Sequence, residues 1–92
     1  MKNNHMLKYK LIAKSIAEIR KKRGITQSEL ASLLGVSKSY ISKIEAPNTN
    51  KTFSLELVFN VAEVLEVPVT ELFRYIKWMQ VSRIITANIL MR

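Results

Sequence analysis

Hydrophobic residues recur every three or four positions over most of this chain, which is the spacing of an amphipathic α-helix. The first such run holds Ile12, Ile16 and Ile19 and ends in four consecutive basic residues before Gly24. Basic side chains complement the negative end of a helix dipole, and glycine readily adopts the left-handed backbone that ends a helix. The pattern therefore predicts a first helix that closes at Gly24.

The next apolar run is short and lies between a helix start signal and a helix stop signal. Thr26 is followed three residues later by Glu29, the spacing of a capping box in which each side chain bonds the other residue's backbone N–H. Gly35 supplies the left-handed residue that a sharp turn requires. We therefore predict a second helix from about Gln27 to Leu34.

Serines mark the starts of two further helices, because a serine hydroxyl accepts a hydrogen bond from the first helical turn. Ser37 precedes a third helix that runs to about Glu45, and Ser54 precedes a fourth. The predicted inward positions of the second and third helices are Leu30, Ala31, Leu34, Val36, Ile41 and Ile44. Those of the fourth helix are Leu55, Val58, Val61, Ala62 and Leu65.

A break at Pro68 separates a fifth helix, which we predict to be capped by Thr70 and to continue through Leu72, Phe73 and Ile76. No stretch alternates apolar and polar residues with the period of a strand. The predicted fold class is therefore all-α, with five short helices around one core.

Residues 76–92 form an apolar C-terminal extension. If the fifth helix continues, one stripe at helical spacing consists of Trp78, Val81, Ile85 and Ile89. A small domain cannot bury such a stripe alone, so we expect it to form a homodimer interface. Exchange of a β-strand between subunits and a groove for another protein are the alternatives, whereas the few basic residues here disfavour a membrane-surface helix.

The composition favours a polyanionic partner, because 15 Lys and Arg against 7 Asp and Glu give a net charge of +8. Nucleic acid is the first choice and an acidic membrane the second. The N-terminal lysines interrupt any signal-peptide core, and no apolar run reaches membrane-spanning length, so we expect a cytoplasmic protein without membrane binding.

The sequence offers little chemistry for catalysis or for a cofactor. It has no Cys, and its single His, His5, has no second metal ligand nearby. Paired carboxylates in a cleft, a Ser/His/Asp set and a phosphate-binding glycine loop are also missing from the pattern. We therefore expect neither an enzyme nor a bound cofactor or metal.

The spacing within residues 26–45, together with the helix patterns that follow it, resembles the helix-turn-helix of the phage-repressor and Cro-like family, often called the XRE family. The resemblance covers residues 10–75. It implies a lambda-repressor-like DNA-binding domain between an N-terminal tail, 1–9, and the C-terminal extension. It further implies that helix 37–45 lies in the major groove of double-stranded DNA.

The same resemblance implies a set of base-reading residues on that helix. Lys38, Ser39 and Lys43 would face base edges, and Tyr40 and Ser42 would flank them. Lysine donates to the O6 and N7 atoms of guanine, and serine donates or accepts. Each of these residues also has an ordinary alternative as a solvated side chain, and Tyr40 could instead cover the edge of the core.

Four further residues are implied near the DNA backbone. Gln27 would touch a phosphate from the start of the second helix, and Ser37 would lie at the start of the reading helix. Asn48 and Lys51 belong to a loop that would follow the sugar-phosphate backbone. This loop is about two residues shorter than is usual in the family, which changes its contacts.

Two charged residues are expected to be structural. Arg20 and Glu45 stand where the family has a pair that joins the first helix to the end of the third. Another departure from the family is Glu66, which occupies a position where glycine is common after the fourth helix and so predicts local strain or a different cap.

Together these observations favour a sequence-specific transcriptional regulator, a dimeric repressor that reads a palindromic operator. Two alternatives share the fold. One is an antitoxin-like protein that binds a toxin through its C-terminal region and autoregulates its operon. The other is a restriction-modification controller.

Overall fold

A computed structural model describes residues 5–78, and every regular element in that range is helical. The elements are α1 (Met6–Lys22), α2 (Gln27–Leu34), α3 (Lys38–Glu45), α4 (Leu55–Val64) and a 3₁₀ helix (Val69–Phe73), after which residues 74–78 are again α-helical. The predicted all-α fold of five helices is confirmed. Helix α1 begins at Met6, so part of the segment assigned to the N-terminal tail is helical.

One hydrophobic core joins all of these elements. Its most deeply buried large side chains are Leu30 of α2, Val61 of α4, Leu65 just after α4, and Leu72 of the 3₁₀ helix. Burying a side chain of this size is worth roughly 1.5–3 kcal/mol. These four residues come from three parts of the sequence, and Ile16 of α1 and Ile41 of α3 pack into the same cluster, so the core fixes the helices relative to one another.

The predicted inner face of α4 is correct except at its first residue. Leu55 is 57% exposed, so the prediction that it is buried is wrong. A helical Cα–Cβ bond tilts toward the N-terminus of its helix, so the side chain of a first residue points beyond the end of the helix. Leu57 is buried in its place.

The turn between α2 and α3 has the predicted signals. The Thr26 hydroxyl accepts the Glu29 N–H at 3.0 Å, and the Thr26 N–H donates to the Glu29 carboxylate at 3.0 Å. The donated backbone N–H lowers the pKa of Glu29. Gly35 is left-handed with φ 72°, and the N–H of Val36 donates back into α2. α2 therefore ends sharply and α3 crosses it.

The fifth helical segment begins differently from the prediction. Its N-cap is Pro68, without a side-chain cap bond, and Thr70 lies inside the 3₁₀ helix instead of capping it. Proline fits this place because its fixed φ turns the chain into the helix and it has no N–H to satisfy. Glu66, which precedes this turn, has φ 57°. It is a non-glycine residue in the left-handed region, where glycine is favoured.

Candidate nucleic-acid interface

Helix α3 has one buried side and one exposed side. Ile41 and Ile44 are 2% and 3% exposed and face the core, and the α2·α3 packing holds them there. The Ser37 hydroxyl accepts the Tyr40 N–H at 3.0 Å and so fixes the start of the helix. A short helix held at its start and along its inner face presents its other face in a defined orientation.

That other face carries the residues assigned to base reading. Lys38, Ser39, Ser42 and Lys43 are all exposed, at positions that repeat along one side of the helix. Ser37, at the cap, is exposed beside them, so these side chains share one surface. We name this surface, residues 37–39 with 42 and 43, the α3 face.

Tyr40 differs from its neighbours on α3. It is half-buried and packs against the core. On its outer side, the Lys51 Nζ lies 5.3 Å from the centre of its ring, within the range of a cation–π contact. The structure therefore places Tyr40 at the border between the core and the α3 face.

Arg20 and Glu45 form a bidentate ion pair. Arg20 Nη2 lies 2.8 Å from Glu45 Oε1, and Arg20 Nε donates to Glu45 Oε2 at 2.9 Å. Their side chains are 8% and 5% exposed. Arg20 Nη1 also donates to the carbonyl of Ile25 at 2.7 Å. The pair joins the last turn of α1 to the last turn of α3 and thereby sets the angle of the α3 face.

Gln27 takes part in the same network. Its Nε2 donates to Glu45 Oε1 at 2.9 Å, and its side chain is half-buried. Glu45 therefore links α1, α2 and α3. Sequence reasoning placed Gln27 at a phosphate and missed this bond, because no periodic pattern relates residues that lie 18 positions apart.

The loop after α3 is built by its own hydrogen bonds. The Thr49 N–H donates to the carbonyl of Ala46 at 3.3 Å, and the Lys51 N–H donates to the Thr49 hydroxyl at 3.2 Å. Asn48, at the tip, is exposed. Since Lys51 reaches back over Tyr40, this loop lies against α3, a contact that the sequence did not predict.

The described residues contain no candidate metal site. Between residues 5 and 78, no group of three or more His, Asp or Glu side chains is placed to hold a metal ion. Across the same range, no helix combines the length and the apolar character needed to cross a membrane.

Comparison with known proteins identifies the family. The sequence profile of the helix-turn-helix family matches residues 16–72, which span α2, the turn and α3 with the helices around them. The chain belongs to the helix-turn-helix family. The resemblance to XRE-type regulators that the sequence suggested is therefore confirmed.

Members of the helix-turn-helix family that resemble this chain are named as regulators. The chain is 44% identical over 64 residues to the HTH-type transcriptional regulator SlrR of Bacillus subtilis, a match that covers 68% of this chain and 41% of SlrR. The chain thus spans about two fifths of the length of this curated relative. SlrR, as a transcriptional regulator, is not an enzyme.

Two solved structures are similar as well. SinR, described as the master regulator for biofilm formation and solved in complex with DNA, matches with a TM-score of 0.59 and 41% identity over 66% of this chain and 95% of that one. The restriction-modification controller protein C.AhdI of Aeromonas hydrophila matches with a TM-score of 0.68 and 27% identity over 77% of this chain and 100% of that one.

Proposed function

We propose that this protein is a sequence-specific regulator of transcription that inserts α3 into the major groove of double-stranded DNA. The observation that carries the proposal is the α3 face, which presents Lys38 and Lys43 on a helix that the core and the Glu45 network hold rigid. A rigid helix with an exposed polar face is what base reading requires. The net charge of +8 supports a polyanionic partner.

The proposed contacts divide into two kinds. Lys38, Ser39 and Lys43 read base edges, with Ser42 beside them, because they are exposed along one side of α3. The phosphate contacts come from four other residues, which are Gln27, Ser37, Asn48 and Lys51. Gln27 keeps its bond to Glu45, so one side chain supports the reading helix and offers its remaining amide atoms to the backbone.

We further propose that the protein binds a palindromic operator as a homodimer through its C-terminal extension. Trp78, the last described residue, is 73% exposed, which is costly for so large an apolar side chain unless a partner covers it. Elsewhere on the described surface, an apolar groove of about 360 Å³ is lined by residues that include Tyr9, Phe53, Leu55 and Ile76. A second copy of this chain is the proposed occupant. The other interface residues predicted from sequence, Val81, Ile85 and Ile89, lie outside the described residues.

The experiment that tests the proposed function is selection of binding sites from a random DNA duplex pool by the purified protein. The enriched sequence is then titrated against a scrambled duplex of equal length at physiological salt. We expect a palindrome whose affinity exceeds that of the scrambled duplex by at least a thousandfold, since this is the lower range for specific binders. Equal affinity for both duplexes, falling together as salt rises, would contradict sequence-specific regulation.

A second candidate is a restriction-modification controller, which would use the same α3 face. It is favoured by the match to C.AhdI, because that whole chain superimposes on this one. The genes beside this one test it, since a controller would lie next to a methyltransferase gene and an endonuclease gene. The antitoxin-like alternative and the cytoplasmic location stay predictions, and a toxin that co-purifies with the protein would support the former.

A further inference from the structure

We propose that Tyr40 acts on DNA through Lys51 and not by reading bases: its ring is a positioning surface that holds the Lys51 ammonium beside α3 for contact with a phosphate. The proposal rests on the proposed function. It assigns to Tyr40 a role different from that of the residues on the α3 face, in keeping with its place at the border between that face and the core.

Lys51 is held at both of its ends. Its backbone N–H donates to the Thr49 hydroxyl at 3.2 Å, and its Nζ lies 5.3 Å from the centre of the Tyr40 ring. The turn that carries Thr49 is itself closed by the bond to the Ala46 carbonyl. The ammonium of an exposed lysine normally samples many rotamers, whereas these contacts confine it to one side of α3.

Tyr40 is well placed to support Lys51 and poorly placed to read DNA bases. Its backbone is fixed by the Ser37 cap, and its ring packs against the edge of the core. A ring that turned outward to meet a base would lose both the core contact and the contact with Lys51. The ring face therefore serves as a fixed platform, and an ammonium above a ring face is attracted by the ring's negative potential.

The benefit for binding comes from preorganisation. Ordering a lysine side chain on a phosphate costs conformational entropy, and a side chain that is already confined loses less. A lysine–phosphate contact releases a counterion, so it is visible in the salt dependence of the affinity. Removal of the Tyr40 ring should change the affinity but not the number of phosphate contacts. Removal of Lys51 should change both, which separates the roles of the two residues.

The test is a double-mutant cycle on DNA binding, measured over a series of salt concentrations. Lys51→Gln is expected to reduce the slope of log affinity against log salt by about 0.9, the value for one phosphate contact. Tyr40→Leu is expected to weaken binding about two- to fivefold, the worth of an exposed cation–π contact, with the slope unchanged. In the Lys51→Gln background, Tyr40→Leu should have no further effect.

Two matched variants serve as controls. Tyr40→Phe keeps the ring without the hydroxyl and should bind DNA as tightly as the parent. Lys51→Arg keeps a cation above the ring and should therefore keep the parent salt slope. A loss of affinity in Tyr40→Phe would show that the hydroxyl touches DNA and would overturn the proposal. The proposal is also overturned if Tyr40→Leu weakens DNA binding by the same factor in the Lys51→Gln background as in the parent.

A measurement without DNA separates this proposal from the proposed function. Protons above an aromatic ring are shifted upfield in NMR spectra, so the Lys51 side-chain ε protons should move downfield in Tyr40→Leu. If they do not move, Lys51 does not lie over the Tyr40 ring, and the proposal fails whatever the DNA result. If they move but the parent protein shows no salt-dependent DNA binding, the proposed function fails, and the phosphate role of Lys51 fails with it.

Discussion

The carboxylate of Glu45 accepts two hydrogen bonds from the guanidinium of Arg20, and this bidentate pair fastens the end of α3 to the end of α1. Both side chains are almost fully buried. Since neither charge is hydrated while the domain is folded, each is compensated by the other. A buried ion pair therefore sets the orientation of the exposed α3 face.

The first prediction concerns this pair. Glu45→Ala leaves the Arg20 charge buried without its partner, so we expect a loss of about 3–5 kcal/mol in the free energy of unfolding. Urea unfolding followed by circular dichroism measures it. The control is Glu71→Ala, because Glu71 meets Arg74 at 3.9 Å in an exposed pair and its loss should cost less than about 1 kcal/mol. Glu45→Ala at parent stability with an altered site preference would place Glu45 in base reading instead.

The second prediction concerns the α3 face. Lys38→Ala combined with Lys43→Ala should keep the fold, because both side chains are exposed, and should abolish the preference for the selected operator. Loss of two base contacts is worth about 2–6 kcal/mol of discrimination. Fluorescence anisotropy with operator and scrambled duplexes measures this loss.

The matched control for the second prediction is Lys10→Ala combined with Lys14→Ala, which removes the same charge from exposed positions of α1, outside α2, α3, their loop and the C-terminal extension. This control should weaken binding to both duplexes alike, if at all. An operator preference that survives in the Lys38 and Lys43 variant would remove these residues from the reading surface.

The helices and their caps could be predicted because their signals are local. The helix ends of α2 are set by residues within four positions of them, which are Thr26, Glu29 and Gly35. Their spacing in the sequence was therefore enough to predict the capping box and the turn. The family resemblance supplied the Arg20 partner of Glu45. The Gln27 bond to Glu45 and the Lys51 contact with Tyr40 could not be predicted, since they depend on how helices and a loop pack in space. Leu55 was misassigned because periodicity does not show where a core ends.

The third prediction concerns the left-handed residue after α4. Glu66 has φ 57°, and a side chain in this region costs roughly 1–2 kcal/mol. Glu66→Gly removes that strain but adds about 0.5–1 kcal/mol of unfolded-state entropy, so thermal unfolding should show a small net stabilisation. The control is Glu63→Gly, an exposed position inside α4, where glycine should destabilise by about 1 kcal/mol. Destabilisation by both substitutions would show that the strain at Glu66 is negligible.

The fourth prediction concerns a buried polar atom in α1. The Ser15 hydroxyl is fully buried and has no hydrogen-bond partner among the described residues. Ser15→Ala should therefore stabilise the protein, since an unsatisfied buried hydroxyl costs about 1–3 kcal/mol. Ser32→Ala, at an exposed position in α2, measures the gain from helix propensity alone. Equal gains in the two variants would mean that the Ser15 hydroxyl is satisfied.

The fifth prediction tests the proposed homodimer. Deleting residues 77–92 removes Trp78 and the apolar residues after it, so self-association measured by analytical ultracentrifugation should weaken at least tenfold. One buried side chain of this kind is worth about 1.5–3 kcal/mol, and about 1.4 kcal/mol changes an equilibrium constant tenfold. The point variant Trp78→Ala should weaken association in the same direction.

The control for the fifth prediction is Leu33→Ala. Leu33 is 61% exposed on α2, outside the C-terminal extension, and its truncation should leave the dimer unchanged. The deletion variant should also bind an isolated half-site with the affinity of one parent subunit, because the α3 face is intact. If the shortened protein is still fully dimeric at micromolar concentration, the interface lies elsewhere, and the exposed Phe59 of α4 becomes the next position to substitute.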